Sequence, residues 1–321
     1  MVGLGMGRNR AQMIKETAGA ELKIVIDLNA ELATEAAQEL GCDWSANLDD
    51  ALGRADVDVV MIVTPSGTHS ALGVKAAEAG KHVIVTKPMD VSVQACDRLI
   101  AAADAAAVKV GVDYQSRYVD ENVQVASALQ DGCLGKPILG EVRFKWFRSD
   151  EYFAHGGGWR GTWKMDGGGS LANQGAHLVD ILLWFMGDAE RVYGETAIMS
   201  HDIETEDVGL AIVNFTSGAK GTVMGTTTFP TNAYFSAEVH GTEGAILVDD
   251  VLEGKMQIIG DGLKQRLNGY ENKLHNVIED MVSVLETDGE MRVNGAEGRR
   301  TVALLEAIYA SARSGQTVAC A

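Results

Sequence analysis

Three apolar runs, VDVVMIV at 57–63, HVIVT at 82–86 and VKVGV at 108–112, constrain this chain more than any other feature. Each is apolar along nearly its whole length rather than in alternation, and alanine-rich stretches with helical spacing, around 71–79 and 93–105, separate them. A strand of that kind needs cover on both faces, and a helix between successive strands makes them parallel. Upstream, AQMIKETAG, LKIVID and AELATEAAQEL read as helix, strand and helix. Residues 1–113 therefore predict a doubly wound parallel sheet of the α/β class.

After Asp113 the texture changes. A helix near Asn122 to Leu129 leads into EVRFKWF, where Val142, Phe144 and Trp146 alternate with Arg143 and Lys145, the pattern of a half-buried strand. Beyond an apolar helix at 170–186 come GLAIVNF, KGTVMGTTTF, FSAEVHG and AILVDD, joined by short turns containing glycine. Two helices, around Lys273 to Leu285 and Gly295 to Ala312, close the chain. Residues 114–321 thus predict an α+β domain with a large open, mainly antiparallel sheet, one face of which is free to meet a partner subunit.

With 27 basic against 45 acidic side chains the formal charge is −18, which repels polyphosphate and anionic lipid and argues against nucleic acid or a membrane as partner. An anionic substrate would need a local basic pocket. The apolar stretch around Leu178 is interrupted by Asp180 and stops at Gly187, too short to span a bilayer, and no secretory segment opens the chain. Cys42, Cys96, Cys133 and Cys320 are far apart and suggest neither a metal site nor a disulfide framework. A cytoplasmic location is expected.

The chemistry-bearing residues gather where such sheets bind ligands, after the strands. MVGLGMGRNR places Gly3 and Gly5 in the first two positions of G-x-G-x-x-G, with Arg8 in the third and Gly7 displaced by one. Only Met1 and Val2 precede the turn, so the usual first strand is expected to be missing. LKIVID ends in Asp27, about 20 residues on, where a carboxylate accepts ribose hydroxyls and repels a 2′-phosphate, favouring NAD over NADP. Later strand tails read Thr64-Pro65-Ser66-Gly67-Thr68-His69, Thr86-Lys87-Pro88 and Asp113-Tyr114-Gln115-Ser116-Arg117. Proline stiffens the backbone at Lys87, as suits a side chain that must be aimed. His69 stands equally for a helix cap or a cofactor contact.

In GTWKMDGGGSLANQGAHLVDILLWFMG, a helix from Ser170 would line up Asn173, His177 and Asp180 on one face of an apolar cylinder. Such a stripe is either a hydrogen-bonded core trio or a base, His177, with polar neighbours that orient it or touch substrate. Gly167, Gly168, Gly169 and Gly175 would allow close backbone approach to a ligand.

These landmarks, the opening glycines, TPSGTH, TKP, DYQSRY, GGGSLANQGAHLVD and IYASARSGQTV, together resemble the Gfo/Idh/MocA family of oxidoreductases over nearly the whole chain. The resemblance implies a Rossmann domain, a second domain whose open sheet makes a homo-oligomer (dimer or tetramer), and NAD(P)-dependent oxidation of a secondary hydroxyl on a sugar, sugar derivative or cyclitol. Carried over, Lys87 and His177 are the catalytic pair. Asn173, Asp180, Arg117, Trp159 and Arg160, with Trp163, become substrate contacts. Gly3, Gly5, Met6, Asp27, Thr64, Pro65, His69, Lys87 and Gln115 become cofactor contacts, and no metal is implied. Asn173 stands where many members have aspartate, and Thr86 replaces the usual glutamate. The resemblance also implies a longer first strand, so a misplaced start codon or a trimmed chain is expected. A cofactor-binding sensor of the same fold and an NAD-dependent glycoside-cleaving enzyme are the alternatives.

Overall fold

In the computed structural model, which describes residues 1–320, the chain divides into two units. Residues 1–90, 94–113 and 276–299 form the first, and 91–93, 114–275 and those from 300 onward form the second. This differs from the expected block at 114–321, because 276–299 returns to the first unit. There Val112 N donates to Val293 O, Lys109 Nζ donates to Gly289 O, and Arg299 Nε donates to Asp97.

The first unit runs α1 (Gly7–Glu16), β1 (Ile24–Ile26), α2 (Ala30–Leu40), β2 (Asp43–Ser45), α3 (Leu48–Leu52), β3 (Val59–Ile62), α4 (His69–Glu78), β4 (His82–Thr86), α5 (Val93–Ala106) and β5 (Val110–Asp113). Strands β1 and β2 pair in parallel, as do β3, β4 and β5. Val60, Met61, Ile62, Val83, Ile84 and Val85 are buried, each worth roughly 1.5–3 kcal/mol of transfer free energy. Asn29 starts α2 by accepting from Glu31 N and Leu32 N, and Gly41 ends it in the left-handed region.

The expected gap at the centre of this sheet is corrected. Val2 pairs with Ile26 on one side and Ile62 on the other, so Met1 to Gly3 join the two parallel groups. Val2 N donates to Met61 O (2.8 Å), Gly3 N to Ile26 O (2.8 Å), and Val63 N to Val2 O (2.7 Å). Few residues suffice because they bond alternately to the two sides, Met1 and Gly3 to β1 and Val2 to β3.

The second unit contains α6 (Asp120–Gln130), β6 (Pro137–Lys145), α7 (Asp150–Ala154), α8 (Ala176–Met186), β7 (Ala189–Ala197), β8 (Val208–Phe215), β9 (Lys220–Thr226), β10 (Tyr234–Gly241), β11 (Gly244–Asp250), β12 (Lys255–Ile259) and α9 (Leu263–Leu267). After α10 (Val277–Thr287) of the first unit, α11 (Gly295–Ser314) carries the chain back to β13 (Val318–Ala319). The eight-stranded sheet has the order β12-β11-β10-β6-β9-β8-β7-β13 and is antiparallel except where β6 meets β9. Helix α8 packs on β6 and β10 and is apolar nearly all round, so Leu178, Val179, Ile181 and Leu182 are all buried. Elsewhere the sheet leaves Leu210 (46% exposed) and Ile212 (54%) uncovered, beside their β7 partners Glu195 and Tyr193. Among the described residues no helix is long and apolar enough to cross a membrane.

Candidate active site

In the first unit the glycine turn is built for close approach. Gly3 has φ +85°, and a Cβ there would stand 2.5 Å from Val63 O, which only glycine avoids. Gly7 opens α1 and is buried, with a built Cβ 2.6 Å from the end of Met1 and 3.5 Å from Val63, so it takes the helix-packing part that the motif gives its third glycine. Gly5 faces open space, Met6 is exposed, and the start of α1 carries neither a side-chain cap nor an acidic residue. Asp27 accepts from Leu4 N (2.8 Å) and Asn29 N (2.9 Å), which ties the turn to the end of β1. Uncapped amides at a helix start beside a fixed carboxylate fit the pyrophosphate and ribose of a dinucleotide.

At the neighbouring strand ends, Lys87 is half-buried and followed by a cis peptide to Pro88. Asp113, opposite Thr86 in the ladder, receives Arg10 Nε at 2.6 Å. Burial pushes the Asp113 carboxyl up, against the pull of the Arg10 and Lys87 charges. His69 corrects both expectations placed on it. It is buried, with Nδ1 2.9 Å from Pro88 O and Nε2 2.8 Å from Thr64 O, so its ring clasps the Thr64-Pro65 and Lys87-Pro88 segments and neither caps α4 nor offers a nitrogen to a cofactor.

Burial pushes the His69 imidazole below its ordinary 6.5, outweighing the two carbonyls and Asp90 on the other side, while Lys87 adds to the lowering. A base depressed in the folded state binds fewer protons than in the unfolded chain, so its contribution is present above about 6.5 and lost as the pH falls below it. The melting temperature is expected to drop as the pH is lowered below about 6.5, and His69→Gln to flatten that slope in a thermal-shift series. An unchanged slope in the variant would reject this account.

In the second unit His177 lies near the start of α8 and is 9% exposed. Its Nδ1 is 3.5 Å from the buried Ser116 Oγ, and its ring meets Tyr114 edge-on at 5.8 Å and Phe235 at 6.5 Å. The Tyr114 and Phe235 rings and the Ser116 hydroxyl help to set the plane of the imidazole.

The polar stripe does not act as one face. Asp180 is fully buried and receives Arg117 Nε (2.7 Å) and Nη2 (2.9 Å) as a fork, with Thr301 Oγ1 at 3.2 Å. Arg117 is 2% exposed and its guanidinium lies 4.7 Å over the Trp184 ring. The expectation that Arg117 and Asp180 touch substrate is therefore corrected: each satisfies the other inside the core. Asn173 is half-buried, and its amide donates to Asp166, which also accepts from Gly161 N at 2.8 Å. A carboxylate thus lies beside position 173, supplied seven residues upstream.

Residues 170–174 are wound as a π turn, closed by Gly175 N on Ser170 O at 2.8 Å, where an ordinary helix was expected. Gln174 joins this turn to a basic and aromatic cluster. It accepts from Arg148 Nη2 at 2.7 Å and donates to the Tyr152 hydroxyl at 2.8 Å and to Asn173 Oδ1 at 2.8 Å. The Tyr152 ring has a guanidinium near it from each of two arginines, Arg148 at 5.0 Å and Arg160 at 4.9 Å. Arg160 also covers Trp159 at 4.7 Å, and Trp163 meets Tyr309 edge-on at 5.1 Å. Gln115 is exposed. Arg148, Tyr152, Asp166, Gln174 and Ser116 had no role in the sequence reading, since each gains its place from a contact invisible to spacing. Among the described residues no group of His, Cys, Asp and Glu is arranged to hold a metal ion.

Comparison with known proteins follows the same two parts. Residues 1–114 match an oxidoreductase family described by its NAD-binding Rossmann fold, and residues 122–247 match the GFO/IDH/MocA C-terminal domain. The crystal structure of the WlbA dehydrogenase from Bordetella pertussis, in complex with NADH and UDP-GlcNAcA, is 30% identical over 99% of this chain and 96% of that one, with a TM-score of 0.91. D-apiose dehydrogenase of Paraburkholderia graminis is 26% identical over 99% of this chain and 88% of its own length. The scyllo-inositol 2-dehydrogenase (NAD(+)) of Bacillus subtilis is 29% identical over 76% of this chain and 72% of its own length.

Proposed function

Since the chain belongs to the Gfo/Idh/MocA family of NAD-binding oxidoreductases, we propose that it oxidises a secondary hydroxyl of a negatively charged, nucleotide-linked sugar of the UDP-GlcNAcA type. The observation that carries the substrate class is the cluster of Arg148, Arg160, Tyr152 and Trp159, coupled through Gln174 to the turn that leads into His177. In a chain of net charge −18, two guanidinium groups gathered on aromatic rings are a local concentration of positive groups that suits a carboxylate, a diphosphate or a base ring.

Gly3, Gly5, Met6 and Asp27, with Thr64, Pro65 and Gln115, are assigned to NAD, which when bound supplies a nicotinamide carbon that accepts hydride. His177 takes the hydroxyl proton as the hydride leaves. The Lys87 ammonium stabilises the developing alkoxide. Asn173, steadied by Asp166, hydrogen-bonds neighbouring substrate hydroxyls, and Arg160 and Trp159 hold the charged end. The uncovered Leu210 and Ile212 side chains support a homo-oligomer through the open sheet, which a monomeric mass in light scattering would remove.

Initial rates of NAD reduction with UDP-GlcNAcA, scyllo-inositol and D-apiose test the reading. UDP-GlcNAcA is expected to give the highest kcat/KM, falling with added salt, with Arg148→Ala and Arg160→Ala raising its KM by about tenfold or more each. Preference for a neutral polyol would reject the charged-substrate class, and tight NAD binding without turnover of any sugar would favour the sensor.

A further inference from the structure

Between Asp166 and α8 the chain makes a glycine turn, with Gly167 and Gly168 at positive φ, and then the π turn. All the early amides of this segment are held by residues from distant parts of the second unit. Glu206, just ahead of β8, accepts from Gly169 N at 3.0 Å, Leu171 N at 2.7 Å and the Ser170 hydroxyl at 3.2 Å, while its main-chain carbonyl accepts from Ser170 N at 2.9 Å. Tyr309 on α11 accepts from Ala172 N at 3.1 Å and donates to Glu206 Oε1 at 3.0 Å. A helix start leaves its first N–H groups without partners, and a π turn leaves one more than an α turn. Here four successive amides are met by two residues.

The glycines fit these same two groups. A Cβ on Gly168 would stand 2.0 Å from the Tyr309 hydroxyl, and one on Gly169 would stand 2.0 Å from Glu206 O. Their small size serves approach to Glu206 and Tyr309, which corrects the reading that they make room for a ligand. Glu206 is 2% exposed and no lysine or arginine is among its hydrogen-bond partners. Burial pushes its carboxyl up against the backbone donors, and burial together with the Glu206 charge pushes the Tyr309 hydroxyl up. Burying a carboxylate with no cation costs several kcal/mol, so a stability role alone would be met more cheaply by an apolar contact and an ordinary helical start.

We propose that Glu206 and Tyr309 are a positioning pair for the oxidation, holding residues 170–174 in the π form and so setting the angle between Asn173 and His177. This rests on the reading of His177 as the base. If the segment relaxed to α winding, one residue would shift through the turn and Asn173 would rotate about the axis relative to His177 by roughly 100°. Ring and amide would then no longer present their groups in the arrangement described above. Neither Glu206 nor Tyr309 needs to touch substrate for this effect, which acts through the turn.

Tyr309→Phe removes one hydroxyl with little change of volume, and Glu206→Gln keeps the shape while turning a donor toward the amides. Both are to be compared with wild type in the full-length chain by the NMR titration of the His177 ring, assigned with His177→Gln, and by rates with NAD and UDP-GlcNAcA. The expected result is a moved His177 titration in both variants, kcat lower by about tenfold or more, and KM for NAD within about twofold. In the His177→Gln background Tyr309→Phe is expected to cost no further activity, because both changes disable one unit. Variants with a lower melting temperature but wild-type kcat and an unmoved His177 titration would overturn the proposal. If the wild type leaves UDP-GlcNAcA untouched, the substrate reading fails by itself, and the His177 titration in Tyr309→Phe still decides for or against the pair.

Discussion

His177→Gln is expected to reduce kcat by about 10²–10⁴-fold while the dissociation constant for NAD stays within about twofold of wild type. The hydroxyl proton must leave in step with the hydride, and glutamine cannot accept it. The residues assigned to NAD lie mostly in the first unit, at Gly3, Gly5, Asp27 and Thr64, whereas His177 belongs to the second, so binding and chemistry separate in this variant. Urea unfolding of the variant, run beside these measurements, separates loss of the base from loss of the fold. Isothermal titration with NAD and single-turnover rates check the two halves of the statement. Retention of wild-type turnover with normal NAD binding would remove His177 as the base.

Asp180→Ala is expected to lower the unfolding free energy by about 3–5 kcal/mol, read as a reduced urea midpoint at unchanged slope. The loss is large because Arg117 would remain buried against Trp184 without the carboxylate fork it now shares, and Thr301 would lose an acceptor. Removing both ends tells a different story. In Arg117→Met/Asp180→Leu the desolvation of two charges disappears together with their attraction, so the double variant is expected to recover most of the stability lost by the single one. KM for substrate should be near wild type in the double variant, in contrast to Arg160→Ala. A double variant as unstable as Asp180→Ala would show that packing around the pair, rather than its charge, carries the effect.

Much of this molecule could be read before any coordinates. The apolar runs 57–63, 82–86 and 108–112 produced β3, β4 and β5, because a strand covered on both faces has few other homes in a soluble protein. The positions of Asp27 just after β1, Lys87 just after β4 and His177 on an apolar helix were legible too, the first two from the ends of the apolar runs and the third from the helical spacing. The motif at the amino terminus was half legible. Its first two glycines stand in order, but the packing part belongs to Gly7, and the central position of the sheet is filled by only a few residues paired on both sides.

What escaped the reading depends on partners remote in the chain. Helical spacing placed Asn173, His177 and Asp180 on one face, yet a fork from Arg117 draws Asp180 into the core, and the π turn sets Asn173 apart. That turn is held by Glu206 and Tyr309, 35 and 137 residues away from the amides they meet at Leu171 and Ala172. Periodicity reports which side chains avoid water, since that preference is local and repeats with the geometry of strand and helix. Which acid meets which amide, and hence how the helix before His177 is wound, follows from hydrogen bonds that exist only once the distant segments have packed, because desolvated polar groups must find partners wherever the fold supplies them.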